Sequence, residues 1–449
     1  MTTETLRAEP GLVRLLGRID GSGCHTGGGS EIEQHRADNM LARIAWSRIA
    51  EPGDGIAGQL AAAIGVEASL ALLVNGSNAA HIWRLVHEAV GNEAGGLTEK
   101  ALAEALERWR PRLNRNETVG DVERAVSTGL RVVLPGDTLW PTALEDLGVH
   151  GPNMLWVRGN PEALSAYSLA VVGARAATGY GSHVTAELVD GACRAGLAIV
   201  SGAAYGIDAV AHRTALAAGA VTVAVVAGGA DRPYPRAHET LLDRIASDDS
   251  HAGGVVCSEM VPDSAPTRWR FLQRNRLISA LSRAVLVPEA GVNSGSLNTA
   301  GHASQLGRPI GAVPGPVTSA ASAGCHKLIR DYDATLITSV REVCELANID
   351  EMFALFGADE VNASVDADGA EVANTEPRES AWARRVGDAL PLRGTRDVET
   401  IAKLSGLTVS QVTGVLCELE MLGKVKRREN PIGDSRRREH WGLVKPDSS

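Results

Sequence analysis

Short runs of apolar residues alternate with stretches of helical periodicity between residues 168 and 338. Most of these runs are continuously apolar, which is typical of strands that are covered on both faces of a sheet. Because strands that alternate with helices form parallel sheets through right-handed crossovers, the pattern predicts an α/β fold with a mostly parallel sheet. The predicted strands are Leu169–Gly173, Ala198–Ser201, Val221–Ala227, Gly254–Cys257, Ala284–Pro288 and Ile310–Val313.

The N-terminal part of the chain has a different pattern. From Ile32 to Trp109, apolar residues recur every three or four positions. This periodicity predicts a helical domain over residues 31–115, of the sterile-alpha-motif or helix-hairpin-helix kind. Residues 1–30 end in a glycine-rich run, and we expect them to form a flexible tail. Residues 116–345 begin with two short strand-like runs and are assigned to the sheet domain.

An acidic stretch separates the predicted sheet domain from a second ordered region. Residues 350–379 contain nine acidic residues and one basic residue, so we expect residues 346–379 to form a disordered linker. Residues 380–445 then show the order helix, turn, helix and hairpin, which predicts a winged-helix domain. Its predicted helices are Asp397–Leu404 and Ser410–Leu422, and its predicted strands are Lys424–Arg428 and His440–Val444.

The net charge argues against a nucleic-acid ligand until its distribution is considered. The formal net charge is −10, whereas phosphate binding depends on lysine and arginine. Most of the negative charge lies in the predicted linker, however. The six cysteines form no CxxC pair and have no histidine at ligand spacing, so we expect no metal site and no disulfide framework. The glycines after the first strand do not have GxGxxG spacing, so we expect no dinucleotide cofactor. No apolar run reaches the ~18 residues of a membrane span, and we expect a cytoplasmic protein.

Glycine and serine follow several predicted strands, where parallel sheets bind ligands. Backbone N–H groups in such loops, together with a helix N-terminus, suit a phosphate. Arg175 follows the first strand directly and is expected to contact phosphate, and Tyr205 is a candidate for base stacking. Asp208 is expected to be structural, because a carboxylate beside phosphate-binding loops repels the ligand. His212 is also expected to be structural, because it lies on a predicted helix among alanines. The remaining loop candidates are Gly173, Gly179, Ser201, Gly202, Gly206, Ser294, Gly295 and Ser296.

A segment at residues 267–283 carries five arginines and no acidic residue. Trp269 and Phe271 are interleaved with the arginines. Guanidinium groups that hold phosphates and aromatic faces that stack on bases are what single-stranded nucleic acid requires. The candidate DNA-binding residues in this segment are Arg268, Trp269, Arg270, Phe271, Arg274, Asn275 and Arg276. Glu289 could serve as a general acid or base, but no second group completes a mechanism, so we expect no enzyme.

Seven motifs occur in one order over roughly residues 125 to 340: VVGARAATGYG, IVSGAAYGIDAVAH, AGGADRPYP, FLQRNRLISALS, EAGVNSGSLNTA, AVPGPV and AGCHKLI. Together they resemble the DNA-processing protein A family (DprA, also called Smf). The resemblance implies an extended Rossmann domain that binds single-stranded DNA in a basic pocket and forms a homodimer. It also implies protection of incoming single strands and loading of the recombinase RecA onto them in natural transformation. Tyr205 and His326 depart from the residues that are usual in this family.

Two other functions remain open at this stage. One is a Rossmann nucleotide hydrolase similar to the cytokinin-activating phosphoribohydrolases, although their PGGxGT loop and following glutamate are missing from PEAGVNSGSLNTA. The other is a transcription regulator that binds DNA through the winged helix, whose wing contains Arg436–Arg438. Release of free base from nucleoside monophosphates would identify the first, and loss of DNA binding on truncation after Val340 would favour the second.

Overall fold

A computed structural model describes residues 7–22, 31–91, 96–247, 253–349, 386, 389–391, 394–421, 425–428 and 440–443. The chain divides into two compact units, residues 1–364 and residues 365–449. The predicted linker lies largely outside the described residues, as do the glycine-rich run before residue 31 and Arg436–Arg438 of the wing.

A nine-stranded sheet forms the centre of the first unit. Its strands lie in the order β1-β2-β6-β5-β4-β3-β7-β8-β9. The pairs from β6 through β9 are parallel, whereas β1 and β2 extend the sheet in antiparallel fashion. This confirms the predicted mostly parallel, extended Rossmann-like sheet. The strands are β1 Arg131–Val133, β2 Leu155–Gly159, β3 Ser168–Val171, β4 Ala198–Ser201, β5 Thr222–Val225, β6 Val255–Ser258, β7 Ala284–Val287, β8 Ile310–Ala312 and β9 Thr335–Leu336.

Helices cover both faces of this sheet, which explains why its strands are continuously apolar. On one face of the sheet, Leu277 and Ala300 belong to helices and pack in the same core as Val285. On the other face, the helical residues Leu188 and Ala211 pack in a second core. The helices of the first unit are α1 Pro10–Ile19, α2 Glu31–Ile49, α3 Gly55–Ile64, α4 Val66–Val74, α5 Ala79–Val90, α6 Glu99–Trp109, α7 Arg115–Thr128, α8 Gly179–Arg194, α9 Ile207–Ala217, α10 Glu239–Ala246, α11 Arg268–Ala280, α12 Ser296–Gln305, α13 Ala323–Asp331 and α14 Val340–Leu346.

The N-terminal segment differs from the predicted flexible tail. Residues 10–19 form α1, which begins with a proline in its first turn, a position where the missing N–H has no intrahelical partner in any case. Leu12, Leu16 and Ile19 recur at helical spacing and are buried. They share a core with α2, α7 and the β1–β2 side of the sheet. The tail prediction was therefore wrong for this segment, because a short amphipathic pattern was masked by the glycines that follow it.

The helical region does not stand apart from the sheet as a separate domain. Helices α2 and α7 contribute Met40 and Val122 to the same core as Trp156 of the sheet. A second core, around Trp46 and Trp109, lies among α2 to α6. Among the described residues, no single helix is long and apolar enough to cross a membrane; α3 and α4 meet that criterion only as a pair, bent by 111°.

The second unit confirms the predicted winged helix. Helix α15 spans Val398–Ser405 and α16 spans Val409–Met421. Strands β11 (Val425–Arg428) and β12 (His440–Leu443) form the antiparallel hairpin, and a short strand β10 (Arg396–Asp397) pairs with β12. Its core contains Ile401, Leu416 and Trp441.

Candidate nucleic-acid interface

The parallel strands create a crevice where the strand order reverses. β3 pairs with β4 on one side and with β7 on the other. Ligands of open α/β sheets bind at such a switch point, outside the carboxyl ends of the strands. A cleft of about 740 Å³ lies at this edge, lined by the loops that follow β3 to β7 and by the first turns of α11 and α12. The fold therefore brings residues from distant parts of the chain to one ligand-sized space.

Two arginines and one aromatic ring line the open part of the cleft. Arg175 follows β3, is exposed, and places its guanidinium carbon 5.1 Å from the centre of the Phe271 ring. Arg268, in the first turn of α11, is also exposed. Within the described part of the chain, neither arginine forms an ion pair. Both charges are therefore available to an anion, and charge-assisted bonds to phosphate are among the stronger hydrogen bonds.

The N-terminus of α12 lies beside these charges. The hydroxyl oxygens of Ser294 and Ser296 are 2.7 Å apart. Asn275 joins α11 to α12, since its Nδ2 donates to Oδ1 of Asn298 at 3.1 Å. A Cβ added at Gly295 would meet nothing within 4 Å. Space is thus open beside Gly295 at the start of this helix, where helix N-termini attract phosphates, although the N–H groups of Ser296 and Asn298 are already bonded within the turn.

A buried arginine and a buried aspartate form the floor of the cleft. Arg274 is 6% exposed, and its Nη1 donates to the carbonyl oxygens of Gly202, at 2.7 Å, and of Val225. Asp208 is also buried and accepts hydrogen bonds from the backbone N–H groups of Gly202 and Ala204. Burial lowers the pKa of Arg274 to about 10, although the charge of Asp208 opposes that shift. Burial raises the pKa of Asp208, and Arg274 opposes it. Arg274 thus supports the floor of the cleft, instead of facing solvent as expected for a DNA contact.

Several glycines that were expected to admit a phosphate serve close packing instead. Gly206 has a φ of 75°, and a Cβ there would overlap the carbonyl oxygen of Ala174. A Cβ at Gly202 would overlap the guanidinium group of Arg274. The packed positions are Gly173, Gly202 and Gly206, whereas Gly179 and Gly295 have open space around them.

Two arginines of the 267–283 segment are neutralised by glutamates from elsewhere in the chain. Arg270 donates to both carboxylate oxygens of Glu51, at 2.9 and 3.1 Å. Arg276 donates to both oxygens of Glu259 at 2.6 Å and is buried. Neither residue lines the cleft. The expectation that both contact DNA is therefore corrected: their side chains fasten α11 to the rest of the unit.

Seven further predicted residues also lie outside the cleft lining, namely Gly179, Gly202, Gly206 and four residues with larger side chains. Ser201 is fully buried, and its hydroxyl donates to a main-chain carbonyl of β3 at 2.6 Å. Trp269 and Tyr205 are exposed at the surface nearby. His212 is fully buried in α9, with Nδ1 2.7 Å from Oγ1 of Thr222, and burial lowers its pKa to about 3. Its position is that of a core residue.

Glu289 fixes the loop that carries Arg175. The carboxylate is 3% exposed and accepts hydrogen bonds from the backbone N–H of Thr178 at 2.8 Å and from its hydroxyl at 2.6 Å. The Thr178 hydroxyl also accepts from the N–H of Gly181 at 3.0 Å, which caps the start of α8. Glu289 does not line the cleft. Among the described residues that line it, Asp208 is the one with a carboxylate side chain.

Among the cleft residues that were absent from the sequence-based candidates are one tyrosine and three polar residues. Tyr234 lies in the loop after β5, whose prolines and glycines suggested a rigid loop more than a ligand contact. The other three are polar residues around the start of α12. They could have been found from the NSGSLNTA run, since a helix that begins at a switch point exposes its first turn to the ligand. These three residues are Asn293, Asn298 and Thr299.

Comparisons with known proteins agree with this architecture. A family model described as DNA recombination-mediator protein A matches residues 131–348, and one described as DprA winged helix domain matches residues 373–430. The putative DNA processing protein DprA of Mycobacterium tuberculosis H37Rv is 42% identical over 328 residues, which cover 69% of this chain and 78% of that protein. Protein Smf of Escherichia coli K12 is 37% identical over 274 residues, covering 61% of this chain and 69% of that protein.

A solved structure shares the fold as well. The X-ray structure of DNA processing protein A from Streptococcus pneumoniae is similar with a TM-score of 0.52 and 28% sequence identity. The similarity covers 68% of this chain and 96% of that one. The motif order, the switch-point cleft, the winged helix and these relatives lead to one assignment. The chain belongs to the DNA-processing protein A (DprA/Smf) family.

Proposed function

We propose that this protein binds single-stranded DNA in the cleft, protects the strand and loads RecA onto it during natural transformation. It positions DNA without changing it chemically, acts in the cytoplasm, and works as a homodimer. RecA loading, strand protection and dimerisation rest on membership of the family. DNA binding rests in addition on the chemistry of the cleft.

One observation carries the proposal: exposed guanidinium groups and an aromatic ring line one cleft at the switch point of the sheet. Arg175 and Arg268 are exposed and have no ion-pair partner among the described residues, and the Phe271 ring lies 5.1 Å from the guanidinium carbon of Arg175. Proteins bind single strands without sequence preference through positive charges along the nucleic-acid backbone and aromatic rings on which the bases stack. A rigid duplex keeps its base faces stacked, so the same cleft favours single strands.

The DNA-binding part of the proposal is tested by comparing the affinities for single- and double-stranded DNA at several salt concentrations. Fluorescence anisotropy with single- and double-stranded oligonucleotides of equal length should show preference for the single strand. Log affinity should fall with log salt concentration at a slope of about −0.7 per phosphate neutralised. Arg175→Ala should weaken single-strand binding by about 1.5–3 kcal/mol, the range for hydrogen bonds to charged groups.

Arg194→Ala is the matched control, because Arg194 lies at the far end of α8 and pairs on the surface with Asp190. This control should bind as the wild type does. Equal affinity of wild type and Arg175→Ala would remove Arg175 from the interface, and equal affinity for both forms of DNA would overturn the single-strand proposal.

A second measurement tests RecA loading. Assembly of RecA on single strands coated with single-strand-binding protein should be faster when this protein is added, and Arg175→Ala should lose that effect. If wild-type protein binds the DNA but leaves RecA assembly unchanged, the RecA part is wrong and the DNA-binding part stands.

A further inference from the structure

The loop that follows β5 is held rigidly without any help from the Tyr234 side chain. The Ser258 hydroxyl donates to the carbonyl of Gly228 at 2.6 Å. Asp231, whose side chain is 1% exposed, accepts from Nε of Arg124 at 2.8 Å and from the N–H of Asp263 at 2.9 Å. Because these contacts anchor the loop, it presents the Tyr234 ring in a fixed position.

The Tyr234 side chain lines the cleft and is partly open to solvent. Tyr234 remains 48% exposed. Among the described residues, its hydroxyl has no hydrogen-bond partner. A ring that lines the cleft, is half exposed and has no hydrogen-bond partner among the described residues is available for a ligand.

That neighbour, Phe271, has less free surface. The guanidinium carbons of Arg175 and Arg274 lie 5.1 and 5.8 Å from its ring centre. The Tyr234 ring lies 5.5 Å from it, tilted by 54°. Two cations and one ring already pack around Phe271, so the accessible aromatic face of the cleft belongs mainly to Tyr234.

We propose that Tyr234 is a stacking platform for an unpaired nucleobase of the bound strand, with Arg175 and Arg268 holding the flanking phosphates. This inference rests on the proposed function and adds a residue that determines its selectivity. A base within a duplex is stacked on both sides and cannot offer a face to the ring. Tyr234 therefore makes the cleft distinguish unpaired from paired DNA, whereas the arginines respond to phosphate in either form.

The test uses the full chain, a thymidine oligonucleotide and an abasic oligonucleotide with the same number of phosphates. Base–aromatic stacking contributes about 1–3 kcal/mol per base, so Tyr234→Ala should weaken binding of the thymidine strand about 5- to 150-fold. It should not weaken binding of the abasic strand further, and the salt slope should stay unchanged. Tyr234→Phe, which keeps the ring, should bind both strands as the wild type does.

Tyr332→Ala is the matched control, because Tyr332 is 41% exposed and lies outside the cleft. Should Tyr234→Ala fail to fold, Tyr234→Leu keeps an apolar side chain without the aromatic face and decides the question by the same comparison. The inference is overturned if the thymidine strand binds the variant as tightly as the wild type, or if both strands lose affinity equally.

Arg175→Ala, measured in parallel, separates the two proposals. If Arg175→Ala weakens binding and Tyr234→Ala does not, the stacking role is wrong and the cleft remains the DNA site. If wild-type protein shows no preference for single strands and neither substitution changes affinity, the proposed function itself fails.

Discussion

Substitution of Arg274 tests whether this residue supports the floor of the cleft or contacts the ligand. Arg274→Met keeps most of the side-chain length but removes the cation beside Asp208. The carbonyls of Gly202 and Val225 lose their donor in the same change. A buried polar group that loses its hydrogen-bond partner costs about 1–3 kcal/mol, and the same change takes away the positive charge that interacts with Asp208. We therefore expect the free energy of unfolding of the first unit to fall by that amount.

Urea denaturation followed by circular dichroism measures this loss. The chain contains two compact units, so the transition of residues 1–364 has to be resolved before its free energy is compared. Arg268→Met is the matched control, since Arg268 lies on the same helix but is exposed. A surface substitution of this kind changes stability by about 0.5 kcal/mol or less, yet it should weaken DNA binding.

The pH dependence gives a second test of the same reasoning. Burial raises the folded-state pKa of Asp208 above its ordinary value of 3.8, and loss of Arg274 should raise it further. A raised folded pKa favours the fold at low pH and disfavours it as the pH rises through that pKa. The deficit of Arg274→Met should therefore shrink as the pH falls towards 3.8, and Asp208→Asn in the same chain should restore part of the stability. A loss below about 1 kcal/mol, combined with weaker DNA binding than in Arg268→Met, would refute the supporting role.

Three further predictions concern the contacts around the cleft. Glu51→Gln should release Arg270 for phosphate and make the salt slope of single-strand binding steeper by about 0.7; an unchanged slope would mean that the released Arg270 side chain does not reach the bound strand. Burial raises the pKa of Glu51, but its bonds to Arg270 and the charges of Arg270 and Arg112 outweigh this and lower it below 4.5. The Glu51–Arg270 contact should accordingly stabilise the wild type above pH 4.5, and this stabilisation should be lost as the pH falls through the lowered pKa. The free energy of unfolding of Glu51→Gln should not show this loss. Thr178→Val should lower the free energy of unfolding by about 1–3 kcal/mol, because it leaves buried Glu289 short of a donor; thermal unfolding that matches the wild type would contradict this.

The sheet was predictable because its signal is local. A run such as Ala198–Ser201 is apolar throughout, and the structure places β4 at the same residues. The alternation of such runs with helical periods determines a parallel sheet, and the carboxyl ends of its strands determine where a ligand binds. Arg175 could be placed beside the cleft on that basis, because it directly follows the first parallel strand.

The arginine segment was less predictable because its acidic partners come from distant residues. A count within residues 267–283 finds no acid, yet Glu51 and Glu259 each bind one of its arginines through both carboxylate oxygens. Helical spacing also rotates Arg274 towards the core, which a local count does not capture. Of the segment's arginines, Arg268 keeps an unpaired charge at the cleft.

The core that α1, α2 and α7 share with the sheet has a practical consequence for fragment design. The family model begins at residue 131, which invites expression of the sheet domain alone. Such a fragment would lack the three helices that cover Trp156 and Val256, both fully buried in the whole chain. Apolar surface of that kind promotes aggregation. If such a truncated protein fails to bind DNA, the cause would be the uncovered sheet and not the loss of a role of the N-terminal helices in recognition.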